Sequence, residues 1–295
     1  MKEFSVSIAN YSVRFVCESE KPVLNPGKRF SRFLSSSAAP DIIIKVSSEK
    51  YQLPENSIKV FDAPFVEERK GLRIKKSDDF WSIHKNGQDL YVKTSFPYST
   101  HNAGALLKFS LTDRNWHLWI DSPQEETDPL EYPLDGLILY YISAIRGDIL
   151  IHASGVSLAG KGFLFSGMSG TGKTTMAGLW KKAGAKIIHD DRLILRKTVT
   201  GFRMFNTPVY DYEEPVEEQV NKIFLISHGP SNIIHRLYGA QAVSRLISNC
   251  IQHSWNRDLI ERLMDSVSEI CRTVPVYTLA FCPDISVIEE ILKND

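Results

Sequence analysis

Along the first 122 residues apolar and polar positions alternate in short runs, which predicts strands. Residues 4–16 alternate well enough for a strand pair turning at Ala9-Asn10, and residues 41–46, DIIIKV, form a compact strand after the small-residue run 35–39. The clearest hairpin is 80–93: FWSIHK, then Asn86-Gly87, then QDLYVK, with the turn dipeptide that type I′ geometry favours. Residues 116–121, WHLWID, alternate again, and the stretch 101–111 before them reads as a short helix. Residues 122–133 carry three prolines and four acids, the composition of a linker or domain boundary. The next segment, LDGLILYYISAI at 134–145, predicts a helix closed by Arg146-Gly147. Its apolar residues run nearly all round, so it should be buried.

The pattern then changes to alternating strands and helices. Residues 149–158, ILIHASGVSL, predict a strand, and 159–162 turn into a second, Phe163-Leu164-Phe165-Ser166. A Gly-rich loop follows, then a helix over about 175–182, a stop at Gly184, and a strand at 186–188 ending in Asp190-Asp191. Further strands are expected at 202–212, 221–227 and 276–280, with helices at 241–249, 257–267 and 285–292. The helix at 257–267 places Leu259, Ile260, Leu263 and Val267 on its apolar face. This order predicts a mixed α/β (α+β) chain: a β-rich N-terminal domain over 1–122, a linker and helix over 123–148, and a domain of alternating strands and helices over 149–295.

Composition narrows the classes. Hydrophobic residues make up 43% and charged residues 24%, as in soluble globular proteins. Lys+Arg and Asp+Glu are 35 each, so no global field recruits nucleic acid or an anionic membrane. The N-terminus lacks the apolar core of a signal peptide, and the most apolar stretch, 137–145, is far shorter than a membrane span. Cys17, Cys250, Cys271 and Cys282 show no metal-ligand spacing, which with the missing leader predicts reduced thiols in a cytoplasmic protein.

The chemistry concentrates in 163–196. Gly167-Met168-Ser169-Gly170-Thr171-Gly172-Lys173-Thr174 matches G-x-x-x-x-G-K-[ST] at every fixed position, and Thr175 follows in the helix. Glycines let backbone N–H groups curl around phosphate oxygens, and a helix N-terminus behind them favours anions. Lys173 is expected at the β- and γ-phosphates and the Thr174 hydroxyl on Mg²⁺. An acid at the end of the neighbouring strand would hold the other side of the metal, through water.

These residues resemble the catalytic domain of HPr kinase/phosphorylase and the nucleotide site of ATP-dependent phosphoenolpyruvate carboxykinase, whose loop reads much like GMSGTGKTT. The spacing from Lys173 to Asp190-Asp191 agrees, and His152 in IHASGV stands where the HPr kinase group carries a histidine one strand before the loop. The resemblance covers roughly 149–196. It implies a PEP-carboxykinase-like, HPr-kinase-like P-loop core set in a mixed, largely antiparallel sheet, with ATP and Mg²⁺ bound. It also implies Asp190 on the metal through water and Asp191 as general base at a serine-type hydroxyl, with the reverse order left open. His152 would steady the acids or the γ-phosphate. The family's downstream metal-binding glutamate has no recognisable motif here; Glu213, Glu214 and Glu217 are the nearby candidates. HPr kinases form hexamers, so a homo-oligomer is admitted. The N-terminal part does not resemble that of HPr kinase but the leader of HPr-kinase-related proteins found beside peptide-modification genes, which takes HPr itself out of first place as acceptor.

Several neighbours are expected to be structural. His189 should pack behind the acids or support them from there, Arg192 should point away from Asp191 as strand alternation dictates, Arg257 should make a surface ion pair, and the acidic run 211–218 should be a solvated loop. The expected function is an ATP- and Mg²⁺-dependent kinase acting on a hydroxyl of a peptide, protein or small molecule. The alternative is an ATP-binding regulatory module that binds a partner without phosphoryl transfer. A carboxykinase is disfavoured by chain length, and a GTPase switch by the absence of the Asp of N-K-x-D after Asn221-Lys222.

Overall fold

The computed structural model of the protein describes residues 1–17, 22–69, 72–99, 104–121 and 125–293. It is a mixed α/β chain with two large mixed sheets. Two compact units emerge: residues 1–141 together with 210–214, and residues 142–209 together with 215–295. The chain passes from one to the other inside the helix Leu134–Arg146. That helix is buried nearly all round, as its sequence predicts.

In the first unit nine strands form one sheet, with Tyr11–Val16 and Asn115–Asp121 each parallel to Ile42–Ser47 and the other pairs antiparallel. The expected pair at the N-terminus is present: Glu3–Ile8 pairs with Tyr11–Val16 across Ala9-Asn10, both at positive φ. The hairpin of Leu72–Asn86 with Asp89–Ser95 is also present, but its turn sits one residue later than the dipeptide suggested. Asn86 pairs with Asp89, leaving Gly87-Gln88 as the loop, and Gly87 takes the left-handed φ of 62°. A positive φ at the first loop residue alone is the type II′ pattern, which needs Gly there and not at both positions. The short helix expected over 101–111 is not found. Residues 101–103 lie outside the described residues, and Gly104–Phe109 is a strand filling the place between Asp89–Ser95 and Asn115–Asp121. Short apolar runs carry no decisive period, and pairing on both sides decides the matter.

Asp128 gives the first unit a pH dependence. Its carboxyl accepts the Leu130 N–H at 2.8 Å, and burial pushes its pKa up to about 7, against the pull of that hydrogen bond and of Arg29. An unfolded aspartate ionises near about 3.9. The folded state therefore keeps the proton to higher pH, and the stability this group contributes is complete below the unfolded value and lost as pH rises through 7. Asp128→Asn, which preserves the acceptor, should raise the melting temperature more at about pH 8 than at about pH 5. An equal shift at both pH values would rule this out.

The second unit is a sheet covered on both faces. Its path runs Glu217–Gln219, Gly201–Asn206, Arg192–Thr198, Ile149–Leu158, Lys161–Ser166, Lys222–His228, Val276–Phe281, Ile233–Leu237, and Lys186–His189 pairs with Ile149–Leu158. The strand Lys161–Ser166 is antiparallel to one neighbour and parallel to the other. Alternation sorts its side chains. Phe163 and Phe165 pack with Met176 and Trp180 of the helix Lys173–Lys182 and with Val287 and Ile291 of the helix Ser286–Lys293. Leu164 faces the opposite layer, with Leu246 from Gly239–Ile247 and Leu263, Val267 and Ile270 from Arg257–Thr273. Trp180 is fully buried, its ring 4.7 Å from Phe163 and 5.8 Å from Phe165. Burial of a large side chain of this kind contributes roughly 1.5–3 kcal/mol, and it anchors the helix that starts at Lys173 on the strand that ends at Ser166. The strand expected over 202–212 stops at Asn206, because Thr207-Pro208 removes the next ladder donor.

Candidate functional site

The Gly-rich loop closes between that strand and that helix. Thr171 Oγ donates to the Met168 carbonyl at 2.8 Å, which tightens the turn. Gly170 and Gly172 adopt φ of 82° and 92°, a region closed to most L side chains. Gly167 is required for space: a Cβ there would lie 2.7 Å from Thr171 Oγ and 2.8 Å from the Ile226 carbonyl oxygen. The helix Lys173–Lys182 begins with no side-chain cap at Gly172, and Met168, Ser169, Gly170, Thr174 and Thr175 are exposed around it. Lys173 is 7% exposed, and its Nζ donates to the carbonyls of Gly167 and Met168 at 2.8 and 3.0 Å. Burial holds its pKa below the ordinary lysine value, while the charge of Asp191 pulls it back up.

The acids arise from one edge of the strand Ile149–Leu158. Lys186–His189 pairs with that edge at Gly155, the chain bends through Asp190-Asp191, and Arg192–Thr198 resumes pairing at His152. The Asp191 carbonyl accepts the Ala153 N–H at 3.0 Å, so the bend stays attached. His189, 2% exposed, accepts the N–H groups of Asp191 and Arg192 on its Nδ1 at 3.0 and 3.2 Å. Nδ1 therefore carries no proton. His189 is thus a positioning residue for the bend.

Because His152 stands opposite Arg192 in register, its imidazole comes beside Asp191. His152 Nε2 lies 3.6 Å from Asp191 Oδ1, ion-pair distance but beyond a hydrogen bond. The ring is half-exposed, and burial lowers its pKa, with Lys173 next, Asp191 opposing and Arg192 adding to the lowering. Lys173, His152, Asp191 and Arg192 thus form one electrostatically connected group. Arg192 corrects an expectation: its Nε is 3.4 Å from Asp191 Oδ2, not directed away. Alternation holds for consecutive residues of a regular strand, and Asp191 lies in the bend just before one.

The remaining acids are engaged elsewhere. Glu213 accepts the Tyr210 N–H, Glu214 pairs with Arg32 at 3.3 Å and Glu217 with Arg203 at 3.2 Å. Glu217 and Glu218 belong to the strand Glu217–Gln219, so that end of the acidic run is not the loop expected. Arg257 makes the expected surface pair, with Glu261 at 2.7 Å. Among the described residues no group of three or more His, Cys, Asp or Glu is placed to hold a metal. Thr174 is exposed at the helix start and Asp190 lies in the bend, and each carries a hard oxygen donor of the kind Mg²⁺ takes beside water and phosphate.

A second clamp on the loop left no signal along the chain. His228 Nε2 is 2.8 Å from the Gly170 carbonyl oxygen, and its ring stacks on Phe281 with centroids 6.0 Å apart. Both end strands parallel to or beside the loop strand, a place visible only from the pairing. A Cβ on Gly172 would meet Phe281 at 2.9 Å. His228→Ala removes one hydrogen bond to the loop and should weaken the affinity for any nucleotide the loop takes about three- to tenfold, as one net hydrogen bond allows. Unchanged affinity by calorimetry would show that the clamp does not matter.

No protein-family model matches the chain, and no curated protein matches it. Among solved structures a weak neighbour is the HPr(Ser) kinase/phosphatase from Coxiella burnetii, with 11% sequence identity and a TM-score of 0.30 over 49% of this chain and 94% of that one. That likeness is too slight to establish a shared fold. Among the described residues no helix is long and apolar enough to cross a membrane.

Proposed function

We propose that the second unit is an ATP- and Mg²⁺-dependent kinase that phosphorylates a serine-type hydroxyl of a peptide, protein or small molecule. One observation carries this reading: the bend sets Asp191 against His152 and Arg192, with its charge acting on Lys173. A bare phosphate-binding loop needs no second acid with its own histidine. In this reading the loop N–H groups and Lys173 bind the β- and γ-phosphates. Thr174 and Asp190 would hold Mg²⁺, whose charge neutralises the phosphates. Asp191 accepts a hydrogen bond from the acceptor hydroxyl and takes its proton as the new O–P bond forms and the bond to the ADP oxygen breaks. Arg192 and His152 flank that carboxylate and aim it. His189 holds the bend that presents it.

The test is incubation with γ-labelled ATP, Mg²⁺ and a panel of acceptors comprising serine peptides, small proteins and free hydroxy acids. Label should appear as an acid-stable phosphoester on a hydroxyl. Tight ATP binding with no phosphoester on any acceptor would favour a nucleotide-gated binding module and defeat the kinase reading.

A further inference from the structure

The hairpin of Ile149–Leu158 with Lys161–Ser166 carries three serines, Ser154, Ser157 and Ser166, all buried. Two are satisfied: Ser157 Oγ donates to Glu218 at 2.6 Å, and Ser166 Oγ to the His152 carbonyl at 2.9 Å. Ser154 differs. It is fully buried, and its hydroxyl makes no hydrogen bond among the described residues. Nearly all buried hydroxyls have partners, and one without a partner destabilises the fold by its lost hydration. Alanine would fill the position without that penalty, so the hydroxyl calls for a role outside the packing.

Register places this serine at the site. Gly155 stands opposite His189 and His152 opposite Arg192, so counting between them sets Ser154 opposite Asp190 and Ala153 opposite Asp191. The Ala153 N–H on the Asp191 carbonyl at 3.0 Å carries that register through the bend. On its other side Ser154 pairs with Phe165, whose ring lies 5.8 Å from that of Trp180 in the helix Lys173–Lys182. Ser154 therefore faces the layer of the helix that starts at Lys173, and so does His152 two residues earlier. Opposite residues of an antiparallel pair share a face, with Cβ atoms about 4.5–5.5 Å apart. Side chains as short as those of serine and aspartate meet across such a gap in one hydrogen bond.

We propose that Ser154 is a positioning residue for Asp190: its hydroxyl donates to one carboxylate oxygen and leaves the other for the metal. This rests on the reading above that Asp190 holds Mg²⁺. The movement required is one χ1 step of Ser154, between staggered rotamers. It takes the hydroxyl from a state with no partner to one with a charged acceptor, the stronger kind of hydrogen bond. The backbone on either side of Asp190 is already fixed, by His189 against Gly155 and by the Asp191 carbonyl on Ala153. A bond to the carboxylate then sets where its metal-facing oxygen points.

A double-mutant cycle of Ser154→Ala and Asp190→Ala in the intact chain tests this. The readouts are the melting temperature without ligand and calorimetric titration of ATP at stepped Mg²⁺ concentrations. Ser154→Ala removes a buried hydroxyl that has no partner and should raise the melting temperature. It should also raise, by about tenfold, the Mg²⁺ concentration that half-maximally tightens ATP binding, as loss of one hydrogen bond to a charged group predicts. In the Asp190→Ala background the same substitution should still raise the melting temperature but leave the remaining Mg²⁺ dependence unchanged. A purely structural serine would instead lower the melting temperature, and that result overturns the proposal. So does an equal Mg²⁺ effect with and without Asp190. A parent protein whose ATP affinity ignores Mg²⁺ would sink the metal assignment together with this inference. A parent that responds to Mg²⁺, beside a Ser154→Ala variant that responds identically, would sink this inference alone.

Discussion

Asp191→Asn is expected to leave ATP affinity within about threefold and to cut phosphoryl transfer by about 10²–10⁴-fold, the span of a lost general base. The asparagine keeps the size of the side chain and one carbonyl oxygen. It keeps the backbone as well: the N–H donated to His189 and the carbonyl accepting from Ala153 do not depend on the side chain. What it removes is the negative charge that faces His152 Nε2 at 3.6 Å and Arg192 Nε at 3.4 Å. Two cationic or protonatable groups are then left without their counter-charge, and Lys173 loses the charge that raises its pKa. Equilibrium nucleotide binding and single-turnover transfer measured on the same preparation separate the two effects. Turnover within a few-fold of the parent would assign the proton to another group, with Asp190 the first to try.

Lys173→Met should be more damaging, losing both binding and transfer. The side chain is buried, so Met replaces its aliphatic stem with little change in packing. Its ammonium, however, donates to the Gly167 and Met168 carbonyls that shape the loop. Charge-assisted hydrogen bonds are worth about 1.5–3 kcal/mol each, so ATP affinity should fall by at least about tenfold and transfer further still. Lys173→Arg should not rescue, because a planar guanidinium cannot donate to two carbonyls from the position of a point-charge ammonium. The readout is nucleotide affinity by calorimetry beside the melting temperature. A variant that binds ATP as the parent does would remove Lys173 from the phosphate site altogether.

The two substitutions also separate the two halves of the site. If Asp191→Asn binds but does not transfer, and Lys173→Met does neither, loop and bend act in sequence on one ligand. Loss of binding in both would make Asp191 part of the nucleotide pocket itself.

Much of this was readable before any fold was known. Gly167, Gly172 and Lys173-Thr174 are a local device: a strand, a turn that only glycines can make, and a helix start lie within a few residues of one another. The strand Ile149–Leu158 and the helix Leu134–Arg146 were legible as well, since each is a long apolar run and the helix is closed by Arg146-Gly147. The strand at Gly104–Phe109 was not, because five apolar or small residues and one lysine carry no decisive period and its two neighbours fix its state.

The amino-acid sequence by itself determined the presence of the Gly-rich loop, the acid pair at a strand end, and the division into a β-rich first part and an α/β second part, all encoded by residues close together in the chain. Only the tertiary structure decided that Arg192 turns toward Asp191, that His189 holds the bend, and that His228 and Phe281 brace the loop. It also decided that Ser154 stands opposite Asp190. Each of these depends on which strand lies beside which and in what register, and a shift of one residue in that pairing would turn every one of these side chains to the other face.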